Sequence, residues 1–227
     1  MGYLDLARTR YSCRSFEDRP VEQSVVDAIV EAGRIAPSAC NNHPARVMVL
    51  DTPELLEKAA ACQPRFARDG SIFGAPLIFL ICSVTDDAWV RPYDQMDSSA
   101  IDTSIVCDQM MMEAEEQGLG TCWVCHFKPE VACEQFCLPE GIYPYHMLVC
   151  GYPADHIADP EQREARTIPS PTSSSSRFLG QALKSTFDHA PFAESCALKR
   201  RTRRFVLQTA CSHKKGPASC GPFLGAK

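Results

Sequence analysis

The sequence has 227 residues, of which 45% are hydrophobic, and it carries a formal net charge of -5 at pH 7. This length allows one large domain or a domain with a tail, and the apolar content is sufficient for a buried core. No stretch approaches the roughly 18 uninterrupted apolar residues of a membrane helix, and the first residues are too polar for a signal peptide. We therefore expect a cytoplasmic protein that does not enter a membrane.

The charge is distributed unevenly along the chain. Residues 1–166 carry a net charge of -13, whereas residues 167–227 carry +8. This change predicts a domain at 1–166 and a separate Ser/Pro-rich and basic tail at 167–227, which we expect to be disordered or a non-native end. The basic run at 199–204 is the only hint of nucleic-acid binding, and a solvated charged tail is the simpler interpretation.

Thirteen cysteines are present. A secreted mini-domain with so many would hold disulfides, but the length and the polar N-terminus favour reduced thiols. We expect most of them to act as small buried hydrophobic residues.

Hydrophobic periodicity predicts helices that alternate with strands. The predicted helices span residues 3–8, 21–36, 53–62, 98–117 and 129–136. The predicted strands span residues 47–50, 76–84, 121–127 and 145–152. The nearly continuous apolar run at 76–84 is typical of a strand that is buried on both faces. Strands separated by helices indicate a mixed fold of helices and sheet.

The stretch from Arg10 to Arg14 places two guanidinium groups and the hydroxyl of Ser12 within five residues. If the segment is extended, residues 10, 12 and 14 point to one side. Arginine forks and a hydroxyl match phosphate oxygens, so the segment is a candidate phosphate clamp. A solvated basic turn is the alternative, and these five residues alone favour it.

A polar loop at residues 37–44 lies between two prolines. The side chains of Ser38, Asn41 and His43 could donate hydrogen bonds to a heterocycle or to a sugar-like chain. The alternative is an ordinary connection between a helix and a strand, because Ser and Asn are common in turns.

Several segments together resemble the flavin-dependent nitroreductases, in the short subgroup of that family. The matching segments are residues 10–16 (RYSCRSF), 31–44, 89–94, 115–127 and 148–155. They keep the order and spacing of the family over roughly residues 3–166. The resemblance implies an α+β fold with a central, mostly antiparallel sheet of about four to five strands flanked by helices. It also implies an intertwined homodimer that holds FMN at the dimer interface.

The resemblance also implies three groups of cofactor-binding residues. The first would hold the phosphate and ribityl chain of FMN: Arg10, Tyr11, Ser12, Arg14 and, more distantly, Arg166. The second would reach the flavin of the other subunit: Pro37, Ser38, Asn41 and His43. The third lies on a strand whose backbone would pass near the isoalloxazine ring: Trp123, Val124, Cys125 and His126. His43 stands where the family usually has Gln, Ala45 where it often has Trp, and Cys125 where it usually has Gly. A Cys125 side chain close to the flavin would narrow the pocket or alter the redox tuning of the flavin.

The function implied by the resemblance is transfer of hydride from NAD(P)H through FMN to a nitroaromatic, a quinone or a similar electrophile, by two-step exchange. Neither a protein acid or base nor a metal is required. A flavin-binding or interaction protein without turnover is the alternative. The pattern Cys122-x-x-Cys125-His126 also fits haem attachment, a thiol pair or half a metal site. We rank all three lower. Haem attachment needs export, which the polar N-terminus does not predict. Two cysteines at this spacing in a strand should point to opposite faces, which disfavours a thiol pair, and a metal site would need further ligands at a recognised spacing.

Overall fold

The structure is a computed structural model, and it describes residues 2–155. The helices are α1 (Tyr3–Thr9), α2 (Gln23–Arg34), α3 (Pro53–Cys62), α4 (Ser99–Glu116) and α5 (Pro129–Gln135). The strands are β1 (Ala45–Leu50), β2 (Ala67–Arg68), β3 (Ser71–Ile72), β4 (Leu77–Val84), β5 (Gly120–Val124) and β6 (Ile142–Gly151). The predicted boundary near Arg166, the tail at 167–227 and its basic run lie outside the described residues.

Four strands form the central sheet in the order β1-β4-β6-β5, and every neighbouring pair is antiparallel. Strand β4 is buried along nearly its whole length, as its continuous apolar run predicts. Helices α3 and α5 pack on one face of the sheet, and α2 and α4 pack on the other. The predicted α+β architecture is confirmed. The intertwined dimer stays a prediction.

Helices α2 and α4 pack closely because a glycine lies between them. Gly33 on α2 has no room for a side chain, since an added Cβ would lie 2.8 Å from Cγ of Met110 on α4. Val26 and Ile29 lie on the same buried face of α2 at helical spacing. Burial of this face fixes the position of α4, whose first turn carries a residue of the candidate site.

The structure differs from the predicted elements at three places. The predicted strand at 121–127 ends at Val124, because the chain turns back and the N–H of Phe127 donates to the carbonyl of Cys125. Strand β6 begins at Ile142, three residues before the predicted start, and a register shift beside its partner strand accommodates Pro144.

The third difference is a small hairpin that the apolar pattern did not reveal. Strands β2 and β3 have two residues each, and Asp69 and Gly70 join them with φ angles of 49° and 78°. Two consecutive residues with positive φ are typical of a type I′ hairpin turn, and Asp-Gly is a favoured pair for it.

All ten cysteines in the described range are free, and six of them are buried. This agrees with the prediction of reduced thiols that act mainly as small core residues. Between residues 2 and 155, no helix combines the length and apolarity that crossing a lipid bilayer requires.

Candidate functional site

The N-terminal clamp segment lies alongside strand β5. The N–H of Cys13 donates to the carbonyl of Thr121 at 2.9 Å, and Ser12 forms a parallel bridge with Thr121. The side chain of Cys13 is buried, whereas those of Ser12 and Arg14 are exposed. Ser12 and Arg14 therefore present their side chains away from the core, while the residue between them anchors the segment.

A carboxylate that the sequence reasoning did not single out holds this segment in place. Asp155 follows β6, and its side chain accepts hydrogen bonds from the Tyr11 hydroxyl at 2.7 Å, the Cys13 thiol at 3.0 Å and the Arg14 N–H at 3.1 Å. Burial opposes ionisation of Asp155, but the bonds from Cys13, Tyr11 and Arg14 outweigh it and lower its pKa. Burial and the bond to Asp155 raise the pKa of Cys13 to about 12, so the thiol stays a donor.

Both guanidinium groups of the segment lie near the start of β5. Burial raises the pKa of the Cys122 thiol, and the positive charges of Arg14 and Arg10 oppose this increase. The guanidinium of Arg14 donates to the Ser12 carbonyl at 3.1 Å, and no carboxylate within residues 2–155 forms an ion pair with it. The segment therefore offers positive charge to an anion from outside.

The outer edge of β5 continues from this cationic end. Strand β5 is the last strand of the sheet, and the carbonyl of Thr121 faces outward to Cys13. Alternate residues of a strand point their backbone N–H and carbonyl groups to the same edge. Trp123, two residues after Thr121, therefore presents its N–H and carbonyl at this outer edge too. At ~3.3 Å per residue, Cys125 lies about 13 Å beyond Thr121. The edge thus has a cationic end and, farther along, a row of backbone groups.

The two cysteines at the end of β5 lie on opposite faces of the sheet. Cys122 packs with Val124 in the core beneath α3 and α5. Cys125 is exposed, and its Sγ lies 3.5 Å from Nδ1 of His146. Within residues 2–155, no three His, Cys, Asp or Glu side chains are grouped so that they could hold a metal ion. The separation of the thiols argues against a dithiol pair.

His146 is a buried imidazole that the sequence analysis did not predict as part of the site. It lies edge-on to the ring of Trp123, with 5.1 Å between centroids, and its Nε2 lies 3.2 Å from the hydroxyls of Thr103 and Ser104. Burial lowers the pKa of His146 to about 4, and burial raises the pKa of Cys125. Both groups are therefore neutral near pH 7.

His126 lies on the other side of the chain from Cys125. Its ring is exposed, and its Nδ1 lies 2.5 Å from Nε2 of the buried Gln63. The ring of Phe66 packs against it, with 6.0 Å between ring centroids. This imidazole therefore has a fixed orientation at the far end of the β5 edge.

The polar loop is held by α4 and by its own side chains. Asp102, a buried residue of α4, accepts the Ala39 N–H at 2.8 Å and the Ser98 hydroxyl at 2.7 Å. The Ser38 hydroxyl accepts the N–H of His43 at 2.9 Å. Three residues of this loop adopt positive φ without being glycine: Cys40, Asn41 and His43. Such backbone angles are uncommon and persist where the surroundings hold them.

A cavity of about 500 Å³ adjoins this loop. Its apolar wall comes from α2, β1 and α4, and its polar lining includes Ser38 and His43 of the loop together with Arg46 and Asp102. Volumes of this size accommodate small organic ligands.

The loop and the clamp lie at opposite corners of the sheet. Ala45, the first residue after the loop, pairs with Ser83 near the end of β4, whereas Thr121 lies level with Leu77 at its start. The two corners are separated by three strand spacings across the sheet and by six residues along a strand. The distance between them is therefore about 25 Å. The structure thus brings the clamp together with residues 123–126 but keeps the loop apart from both within one chain. Arg166 lies outside the described residues.

These same segments match a known protein family. The family model described as "Nitroreductase family" matches residues 7–152, which include the clamp, the loop and β5. The chain belongs to the nitroreductase family. The resemblance read from the sequence is therefore confirmed.

Solved and curated nitroreductase relatives agree with this assignment. The crystal structure of a nitroreductase family protein from Clostridium difficile has a TM-score of 0.71 and 36% identity, and the match covers 79% of this chain and 100% of that one. The "FMN reductase [NAD(P)H]" of Bacillus subtilis is 30% identical over 165 residues, which are 65% of this chain and 64% of the relative. A Methanothermobacter thermautotrophicus protein, named as a candidate NADH dehydrogenase or NAD(P)H nitroreductase, is 28% identical over 165 residues. The match covers 69% of this chain and 80% of that protein.

Four residues that hold groups of the site in position were not predicted from the sequence and are visible only in the structure: Gln63, Asp102, His146 and Asp155. Each lies far along the sequence from the group that it holds, so no local sequence pattern predicts the contact. Asp155 lies within a segment, residues 148–155, that carries the family resemblance, and this was the one available hint.

Proposed function

We propose that this nitroreductase family member is an FMN-dependent oxidoreductase. It would pass hydride from NADH or NADPH to nitroaromatic, quinone or similar electrophilic acceptors by two-step exchange. The names of the Bacillus and Methanothermobacter relatives support FMN and NAD(P)H as its cofactor and co-substrate. The structural observation that carries the proposal is the bridge between Ser12 and Thr121, which aligns the cationic segment with the free edge of β5.

The residues along this edge fit the chemistry of FMN. Arg10, Ser12 and Arg14 would hold the phosphate, because charge-assisted bonds from guanidinium groups to phosphate are strong. The backbone of β5 near Trp123 would meet the ring, since its N–H and carbonyl point outward. The edge from Thr121, beside the clamp, to Cys125, beyond Trp123, spans about 13 Å and accommodates a mononucleotide with its phosphate at one end and its ring toward the other. When bound, FMN supplies the hydride chemistry.

The protein's own contribution is to position and to stabilise charge. Asp155 fixes the backbone of residues 11–14, so that Arg14 needs little reordering to meet an anion. The β5 edge offers backbone N–H groups, which stabilise negative charge when they are preorganised. Burial raises the pKa of Cys125, so its thiol stays neutral near pH 7 and adds no negative charge at this end of the edge.

We further propose that two copies of the chain build each site. The loop at 37–44 lies about 25 Å from the clamp by strand count, which is too far for one mononucleotide to contact both. A second copy could bring its loop to the clamp of the first. The strained loop residues Asn41 and His43 would then have a reason for their positive φ, because they would face the ligand of the partner subunit.

A single purification tests both statements. The full-length protein should be yellow, should release FMN on denaturation and should oxidise NADH or NADPH with a nitroaromatic acceptor. Light scattering should give a mass near twice 25.1 kDa. A protein that stays colourless after FMN is added would reject the enzyme proposal, and yellow protein without turnover would favour a binding function. A monomer with full activity would reject the shared site.

A further inference from the structure

The imidazole of His126 has a hydrogen-bond partner that determines which of its nitrogens carries the proton. Gln63 ends α3 and is only 5% exposed. Its Oε1 accepts the N–H of Arg65 at 3.3 Å, so its amide nitrogen is the group that faces His126. An amide nitrogen donates only, and Nδ1 of His126 must therefore accept.

The place of this pair in the fold is fixed by the backbone. The N–H of Lys128 donates to the carbonyl of Cys62 at 3.0 Å, which ties the chain after β5 to the end of α3. The ring of Phe66 packs against His126 from the turn that follows Gln63. Neither the imidazole nor the amide can turn without losing these contacts.

If Nδ1 accepts, the proton of the neutral imidazole is on Nε2. The ring is exposed, and Nε2 makes no hydrogen bond within residues 2–155. His126 lies just past the end of β5, where the backbone edge that we assign to the flavin ring ends. The protein therefore presents an oriented N–H donor at the ring end of the site.

We propose that His126 uses this Nε2–H to bind an oxygen that gains negative charge during the reaction, and that Gln63 is the positioning residue that keeps the proton there. The inference rests on the proposed function. The oxygen belongs either to the pyrimidine end of the flavin or to the acceptor, for example a nitro group. A neutral imidazole donates a hydrogen bond here without giving up its proton, as a preorganised electrostatic stabiliser does.

The tautomer can be observed without any turnover. In the ¹⁵N-labelled, full-length protein as purified, the ring nitrogens of His126 should show a neutral imidazole with its proton on Nε2. Signals are assigned by comparison with His126→Gln. Gln63→Glu replaces the donor with an acceptor, so the proton should appear on Nδ1, whereas Gln63→Met should give a mixture of tautomers. A wild-type protein with the proton on Nδ1 would overturn the inference.

The role is tested by two substitutions at His126 itself. His126→Phe removes the donor, whereas His126→Gln keeps an N–H near the position of Nε2. We expect kcat for p-nitrobenzoate to fall on the order of 100- to 1,000-fold in the Phe variant, which is the range for loss of one such donor, and to recover largely in the Gln variant. Equal values in wild type and the Phe variant, with FMN bound in both, would overturn the role.

A second acceptor separates the two possible oxygens. Ferricyanide accepts electrons but has no oxygen atom, so its reduction needs no hydrogen bond of this kind. If the Phe variant is slow with p-nitrobenzoate alone, the donor serves the acceptor; if it is slow with both, the donor serves the flavin. A wild-type protein that neither holds FMN nor oxidises NAD(P)H would reject the proposed function and this role together. Full wild-type turnover with an unaffected Phe variant would reject only the role.

Discussion

The Asp155 carboxylate accepts the phenolic hydroxyl of Tyr11 at 2.7 Å, although 144 residues separate the two in the sequence. The same carboxylate accepts the thiol of Cys13 and the N–H of Arg14. A residue four positions beyond the end of β6 therefore organises the segment near the start of the chain. Flavin retention should depend on a residue that does not itself need to touch the phosphate.

Asp155→Ala should weaken FMN binding about 10-fold. The substitution removes a charged acceptor that three donors share, although the Tyr11 hydroxyl and the Cys13 thiol each keep a backbone carbonyl. Loss of a hydrogen bond to a charged group costs on the order of 1.5–3 kcal/mol. The dissociation constant of FMN, measured by quenching of flavin fluorescence, checks the expectation. Glu140→Ala, which changes an exposed carboxylate in the turn before β6, is the control and should bind FMN normally. Equal affinities in the two variants would show that Asp155 does not organise the clamp.

Arg14→Ala should reduce FMN affinity by about 10- to 100-fold, because hydrogen bonds to charged groups contribute on the order of 1.5–3 kcal/mol. The flavin content of the purified protein and a titration with FMN measure the loss. Arg68→Ala removes an exposed arginine from the β2–β3 hairpin and serves as the matched control. Flavin content that is the same in all three proteins would remove the clamp assignment.

Gly120→Ala should displace the clamp from β5. An added Cβ at this position would lie 2.8 Å from both Cβ and Sγ of Cys13, and neither atom can move without shifting the segment. We expect weaker FMN binding together with lower stability. Gly33→Ala, which meets the flexible side chain of Met110 instead, should lower the melting temperature and leave FMN affinity nearly unchanged. The melting temperature and the FMN affinity of both variants are measured. FMN affinity that falls equally in the two variants, or in neither, would contradict the role of Gly120.

Stability should fall in mildly acidic solution because of His146. Its folded pKa of about 4 lies below its ordinary value of 6.5, so the unfolded chain binds a proton at a pH where the folded chain does not. The stabilising contribution is complete above pH 6.5 and is lost as the pH falls toward 4. It amounts to about 3 kcal/mol.

Urea unfolding of the FMN-free protein between pH 4 and pH 8 measures this contribution. The free energy of unfolding should decrease with falling pH in wild type and should decrease less steeply in His146→Leu. Parallel pH profiles for the two proteins would contradict the assignment. The substitution also removes the contacts to Thr103 and Ser104, so the slopes are compared rather than the absolute values.

Local signals in the sequence were sufficient for the elements and for the chemical groups of the site. Periodicity predicted α3 at its observed bounds, and the apolar run at 76–84 indicated a strand buried on both faces, which the structure has at Leu77–Val84. The positive charges of Arg10 and Arg14 predicted an anion-binding site from the sequence alone. These properties depend on residues that are near one another in the chain, so one sequence determines them.

The tertiary structure alone decided which of these groups meet. Strand order and register depend on hydrogen bonds between distant segments, and no local preference encodes them. They place Asp155 beside Tyr11, Asp102 beneath the loop and Gln63 beside His126, and they separate the loop from the clamp by the width and length of the sheet. The sequence therefore determined what the site is made of, and the long-range pairing of strands determined which residues hold it in position.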